Sequence, residues 1–371
     1  VYTIIKTYIL LMQYLDFEKE LEQLDSNIEN LKNPFENTGL SSLNNEEIQK
    51  AQSEIDKKTS EIYQSLDGWK KTQVARHSER PKSNFYIENI FEHFQPISGD
   101  RLFGEDEAII AGFAKLENQS VLVLGQEKGS DTESRLKRNF GMMRPEGYRK
   151  CIRLMKLAEK FKIPVITFID TPGAYPGKGA EERGQAEAIA KSIDCCLSVS
   201  QPIISVVIGE GGSGGAIALA TSNKVLMLEH AIYSVISPEG CASILWKDAS
   251  KSKEAAESMQ ITAQNLLGHQ IIDEIIQEPL GGAHRNPKEA AIHIKQSLVE
   301  NLKSFSGKSA DEILKERKDK FLSIGTKLPE ETNIFNHENA MHFSRKSFIK
   351  NKKAFIILGA SVLVAAIIWW L

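Results

Sequence analysis

The chain has 371 residues, enough for one large domain or two ordinary ones. Its composition, 41% hydrophobic and 26% charged, is that of a globular protein with a real core, and a net charge of −3 gives nucleic-acid binding no support. The four cysteines, Cys151, Cys195, Cys196 and Cys241, form no C-x-x-C pair, so no metal site is expected and they read as free thiols of a reducing compartment.

Residues 1–11 are apolar apart from Lys6, too short to span a bilayer and without an A-x-A cleavage site. They are expected to be an extension ahead of Met12, which opens a more typical start. Residues 12–80 read as a helical region. Leu15, Leu21, Leu24, Ile28 and Leu31 share one helix face until Asn33-Pro34 breaks it, and Ile48, Ile55, Ile62 and Leu66 share another. The expectation is a helical hairpin packed on a partner or on the main domain. From Tyr86 to Gly99 the pattern loosens.

One pattern then occurs three times. The strand Ser120 to Leu124 leads into Gly125 to Gly129 and a helix from Pro145 to Phe161. The strand Val165 to Ile169 leads into Asp170-Thr171-Pro172-Gly173-Ala174-Tyr175-Pro176-Gly177 and a helix from Glu181 to Ser192. The strand Ile204 to Ile208 leads into Gly209-Glu210-Gly211-Gly212-Ser213-Gly214-Gly215 and a small-residue helix. Repeated strand–loop–helix units predict parallel strands with right-handed crossovers. Two more strands follow, Val225 to Leu228 and Ile232 to Ile236, the second running into Ser237-Pro238, a helix start with proline at its first position. Helices are expected over Ala255 to Gly268, Pro287 to Leu302 and Ser309 to Leu322, with a Gly-rich loop from Gly281 to Pro287.

Residues 326–353 form a polar linker that ends basic, and residues 354–371 run without a charge to Trp369-Trp370-Leu371. Eighteen helical residues reach about 27 Å, enough to cross a hydrocarbon core. Basic residues before the segment and the Trp pair at its end predict a C-terminal anchor, with the rest of the chain cytoplasmic and tethered to that face of the membrane.

The glycine stretch marks a tight turn and a helix start, a place that holds negative charge. Two stock patterns overlap there. Gly209-x-Gly211-x-x-Gly214 with Glu229 fits a dinucleotide fingerprint, and Gly211-x-Ser213-x-Gly215 fits the nucleophile elbow of a serine hydrolase. The first is weakened by the two strand–loop–helix units upstream and by the short segment before Val225. The second finds Asp248 or Asp273 and His284 or His293 in the right order, but no HGGG-type oxyanion loop. Gly173 to Gly179 has the wrong spacing for a P-loop. His230 and His269 are scattered and lack ligand spacing, and Arg183 with Arg135-Leu136-Lys137-Arg138 could face phosphate, carboxylate or solvent.

Long strings, in one order, carry a further signal. They are Asn139-Phe140-Gly141-Met142, Pro145 to Lys150, Ile169 to Gly177, Ala180 to Gln185, Gly209 to Gly215, Tyr233 to Trp246 and Glu278 to Arg285. Together they closely resemble the alpha-subunit family of the multi-subunit, bacterial and plastid type acetyl-CoA carboxylase carboxyltransferases, from about Met12 to Gly325. The resemblance implies an α/β, crotonase-like (ClpP/crotonase) spiral of ββα units over 81–325, after the helical region and before the linker and apolar tail helix. It implies a transferase that moves a carboxyl group from carboxybiotin, on a biotin carboxyl carrier protein, to acetyl-CoA. The product is malonyl-CoA, the first committed step of fatty acid biosynthesis. The overall complex is ATP-dependent through biotin carboxylase.

No cofactor is expected to be tightly bound. The active site is shared with a beta subunit in an α2β2 heterotetramer, and zinc is expected only on that beta subunit. By resemblance Gly211 and Gly212 supply backbone donors to an oxyanion, and Pro172, Gly173, Ala174, Glu210 and Ser213 line the substrate. The alternative from another class is a non-catalytic, membrane-tethered scaffold for the carboxylase complex.

Overall fold

The computed structural model describes residues 13–32 and 45–326. The N-terminal region forms α1 (Lys19–Lys32) and α2 (Asn45–Gln64), which pack on each other as the expected hairpin, followed by α3 (Gly68–Ala75) and α4 (Ser83–Ile90). Of the two placements left open, the structure shows the main domain. Glu18 at the foot of α1 is wholly buried, and accepts the Tyr63 hydroxyl at 2.8 Å and Arg285 Nη2 at 3.2 Å.

The sheet contains β1 (Glu92–Pro96), β2 (Ile109–Leu116), β3 (Gln119–Gln126), β4 (Val165–Thr171), β5 (Ile203–Gly212), β6 (Lys224–Leu228), β7 (Ile232–Ser234) and β8 (Glu274–Ile276). Its order is β1-β2-β3-β4-β5-β6-β8, with β7 paired to β5. From β3 through β8 the pairings are parallel, as the repeat predicts, while β1 and β2 are antiparallel. The sequence reading passes over β1 and β2. β1 is a polar edge strand ending in a proline, and β2, although apolar, is interrupted by Gly112, where a Cβ would stand 2.2 Å from Gln95 O.

Crossing helices are α5 (Thr132–Lys137) and α6 (Pro145–Lys160) before β4, α7 (Lys178–Glu182) and α8 (Gln185–Ser198) before β5, and α9 (Ser213–Ala220) after it. The helix expected over Glu181 to Ser192 is split at Gly184, which takes φ +81°. After β7 come α10 (Pro238–Leu245), α11 (Ser252–Ser258), α12 (Ala263–Gly268), α13 (Pro287–Lys303) and α14 (Ala310–Ser323). The single helix expected over Ala255 to Gly268 is two, because Gln260 turns at φ +52° and Thr262 bridges to Ile232. Both faces of β4 and β5 are buried, which is why they read as continuous β-branched runs.

Residues 1–11 and the linker and apolar segment over 327–371 lie outside the described residues. Among the described residues no helix is long and apolar enough to cross a membrane.

Arg317 on α14 is wholly buried and ties that helix to the end of α8. It donates to Asn223 Oδ1 (2.9 Å), Val199 O (2.6 Å), Gln201 O (2.7 Å) and Cys196 O. Burial pushes its guanidinium down to about 10, so it stays charged at neutral pH. Two of the carbonyls it meets, Cys196 O and Val199 O, stand at the C-terminal end of α8, where the helix leaves carbonyls without helical partners. Arg317→Met fills similar volume but leaves these acceptors unpaired, so it should cost about 3 kcal/mol of unfolding free energy. Chemical denaturation of the variant checks this.

Candidate active site

The site lies where β4 and β5 end. β5 runs past the expected strand end at Ile208 to Gly212, and β7 pairs its last three residues after β6 has stopped at Val207. Gly212 is the last strand residue and the N-cap of α9, so strand and helix join without a linker. Ser213 takes the turn at φ +53°, a conformation costly for a residue with a Cβ.

Two sequence-predicted pieces meet here. A Cβ on Gly212 would lie 2.2 Å from Pro172 O and 2.8 Å from Thr171 O, and one on Gly215 would lie 2.5 Å from Gly173 C. The Pro172-Gly173-Ala174 loop therefore rests directly on the glycine turn, backbone against backbone. Thr171 fixes the loop, its hydroxyl donating to Gly173 O at 2.6 Å and accepting Gly173 N–H at 3.2 Å. Gly173 differs from its neighbours: a Cβ built on it meets nothing within 4 Å. Packing within the chain does not demand that glycine, and the space beside it is open.

Next to the loop is a cavity of about 600 Å³ lined by Arg76, Lys82, Lys128, Asp170, Pro172 and Glu210. A chain of ion pairs crosses it. Lys128 Nζ lies 2.8 Å from Asp170 Oδ1 and 3.4 Å from Glu210 Oε2, and Arg76 pairs with Glu210 at 2.6 Å and with Glu239 at 2.7 Å. Burial pushes the Glu210 carboxyl up, but Lys128 and Arg76 outweigh it, and the net shift is downward. Burial pushes the Lys82 ammonium down to about 8, opposed by Asp170 and aided by Lys128, Arg80 and Arg135. Lys82 is held by the backbone carbonyls of His77, Ser78 and Arg80. The cavity is thus a partly desolvated basic site, suited to an anionic group.

Pro172, Gly173, Ala174, Glu210, Gly211, Gly212 and Ser213 are all brought together. Arg76, Lys82, Lys128 and Glu239 escaped the sequence reading. Arg76 and Glu210 are 134 positions apart, and nothing local marks either as the other's partner. The hydrolase partners are not assembled at Ser213. Asp248 caps its own turn at Ser250, Asp273 pairs with Lys320, His284 stacks on His77 at 4.0 Å, and His293 Nδ1 lies 2.9 Å from Gln277 O. Glu229 of the dinucleotide pattern accepts instead from the Glu278 N–H at 3.4 Å.

A spiral of strand–helix units, with a glycine turn pressed on a Pro-Gly loop at the strand ends, is an α/β arrangement of the crotonase-like kind that the resemblance implies. Among solved structures, transcarboxylase 12S with methylmalonyl-coenzyme A and methylmalonic acid bound matches with a TM-score of 0.51 at 16% identity. The match covers 63% of this chain and 45% of that one, so it speaks for the fold.

The family model described as acetyl co-enzyme A carboxylase carboxyltransferase-like matches residues 14–325. The acetyl-coenzyme A carboxylase carboxyl transferase subunit alpha of Pelagibacter ubique is 54% identical, over 96% of this chain and 99% of its own. The subunits of the same name from Paracoccus denitrificans and Zymomonas mobilis are 53% and 54% identical over 85% of this chain, and over 99% and 100% of their own. The chain belongs to the acetyl co-enzyme A carboxylase carboxyltransferase-like family.

The close approach of the two backbones yields a test that needs no assay of function. Gly212→Ala should destabilise the fold by about 2 kcal/mol, because backbone carbonyls cannot step aside cheaply. Gly173→Ala should be neutral. Paired thermal unfolding curves check both.

Proposed function

We propose that the chain is the alpha-type half of a carboxyltransferase that converts acetyl-CoA to malonyl-CoA with carboxybiotin on a carrier protein as donor. One observation carries the reading for this site: the Pro172-Gly173 loop lies on Gly212 and Gly215 and leaves open space beside Gly173 next to a basic cavity. Family membership supports the same reaction class.

The chemistry asks little of side chains. When the N–CO2⁻ bond of carboxybiotin breaks, its electron pair goes to the ureido group and charge develops on the ureido oxygen. The backbone N–H groups of Gly211 and Gly212 would stabilise that charge, each by about 3–4 kcal/mol on the scale of an oxyanion hole. Side chains there must be absent rather than reactive. The freed ureido nitrogen takes a proton from the methyl group of acetyl-CoA, and the resulting enolate carbon bonds to the CO2. No protein general base enters this scheme. Pro172, Gly173, Ala174, Glu210 and Ser213 line the substrate, and Lys82, which stands outside the ion-pair chain, adds a positive charge that favours a carboxylate.

The site is half of a shared one, completed by a beta subunit in an α2β2 assembly that also engages the carrier protein and biotin carboxylase. Zinc belongs to the beta subunit. Large exposed apolar side chains support a docking partner beside the cavity. Val235 (73% exposed) follows β7, and Ile244 (68%) lies on α10, the helix whose Glu239 holds Arg76. The apolar segment 354–371 serves as a C-terminal anchor that tethers a cytoplasmic enzyme. Its eighteen uncharged residues and the basic cluster before it support this. The Pelagibacter match extends over a larger share of this chain than the family model, so part of the region beyond 325 is shared with that relative.

Mixing the chain with a beta subunit should give biotin-dependent malonyl-CoA decarboxylation that neither chain shows alone. Its absence, with assembly intact, would favour the scaffold reading. After gentle lysis the full chain should sediment with membranes; a wholly soluble chain would rule out the anchor.

A further inference from the structure

The glycine turn is gripped at both ends by side chains from other strands. At its upstream end Asp170, near the end of β4, reaches across so that Oδ1 accepts the Glu210 N–H at 3.0 Å. The strand register explains the need. Ile169 pairs with Val207 and Thr171 with Gly211, so one residue of β4 faces three of β5 and the ladder skips. The carboxylate fills that skip. Gly209 keeps the space open, since a Cβ there would lie 2.5 Å from Asp170 Oδ1.

At the downstream end Gln126, the last residue of β3, donates from Nε2 to Gly215 O at 2.8 Å. Its Oε1 accepts the Asp170 N–H at 3.2 Å, so the two grips are joined to each other. Lys128 holds Asp170 Oδ1 from the side at 2.8 Å. The Asp170 side chain is 4% exposed and Gln126 is wholly buried, so water offers neither group much of a substitute partner.

We propose that Asp170 and Gln126 are positioning residues that fix the Gly211-to-Gly214 backbone and hold its donors in aim. This rests on the reading of Gly211 and Gly212 as oxyanion donors. Neither residue need touch substrate. A preorganised donor acts because its dipole is already oriented when charge develops, so loosening it weakens the transition state more than ground-state binding. The loss belongs in kcat and not in KM.

The test uses the chain assembled with a beta subunit, comparing wild type with Asp170→Ala, Asp170→Asn and Gln126→Met. Asparagine retains an oxygen that can accept from both Glu210 N–H and Lys128, so Asp170→Asn should stay within about threefold of the wild-type kcat, whereas Asp170→Ala and Gln126→Met should fall roughly 10- to 100-fold with KM for acetyl-CoA unchanged. Amide hydrogen exchange supplies a readout that needs no activity. In the two slow variants exchange should quicken over residues 209–216, while 203–207 of the same strand stay protected.

An unchanged kcat in Asp170→Ala, an asparagine variant as slow as the alanine one, or unchanged exchange over the turn would overturn the proposal. Exchange quickening across 203–207 as well would also overturn it, in favour of a purely structural role. A wild-type complex that transfers no carboxyl group would refute the carboxyltransferase reading instead, and the exchange comparison would still decide the clamp.

Discussion

The site depends on one steric constraint, the contact of two backbones. The loop after β4 lies against the turn after β5 so closely that a single carbon added at Gly212 or Gly215 would stand 2.2 to 2.5 Å from main-chain atoms of Pro172 or Gly173. Glycine is required at these places by proximity, since neither carries a positive φ. The residue that does turn at positive φ is Ser213, held there by the strand before it and the buried helix after it. This arrangement sets backbone against backbone and leaves no room for side chains at Gly212 and Gly215.

Charge organises the surroundings. Arg76, at the end of α3, joins Glu210 of β5 to Glu239 of α10, and Lys128 joins Glu210 to Asp170 of β4. Partly buried pairs of this kind give weak support to stability, because desolvation offsets most of their attraction. Their value here is registration: five segments of the chain are set against one another around one cavity. Through Gln73, Ala75 and Arg76, the end of α3 becomes a wall of the site.

Much of the fold was legible. β4 and β5 are buried on both faces and therefore appear as uninterrupted β-branched runs, and the forty-residue spacing of the repeats implied parallel pairing. β1 was not legible because Glu92 to Pro96 is an exposed edge with no apolar face, and β8 is only three residues long. The breaks at Gly184 and Gln260 depend on single backbone conformations that helix propensity does not report. In the site, the glycine density announced the turn, and the match of long strings named the family. The ion-pair chain stayed hidden, since a half-buried Arg76 looks like any surface arginine until Glu210 is folded against it. Ser213 shows the converse. Its pattern and even its φ suit a nucleophile, but the acids and histidines that would activate it are engaged elsewhere.

The central claim is that main-chain donors of the glycine turn bind the ureido oxygen of biotin. Infrared difference spectroscopy of biotin labelled with ¹³C at the ureido carbonyl, bound to the assembled complex, reads this directly. Two hydrogen bonds to that oxygen should shift its carbonyl band to lower frequency than in water, and Gly212→Ala should abolish most of the shift. A band at the solution frequency with biotin demonstrably bound, or a shift that Gly212→Ala leaves intact, would contradict the account.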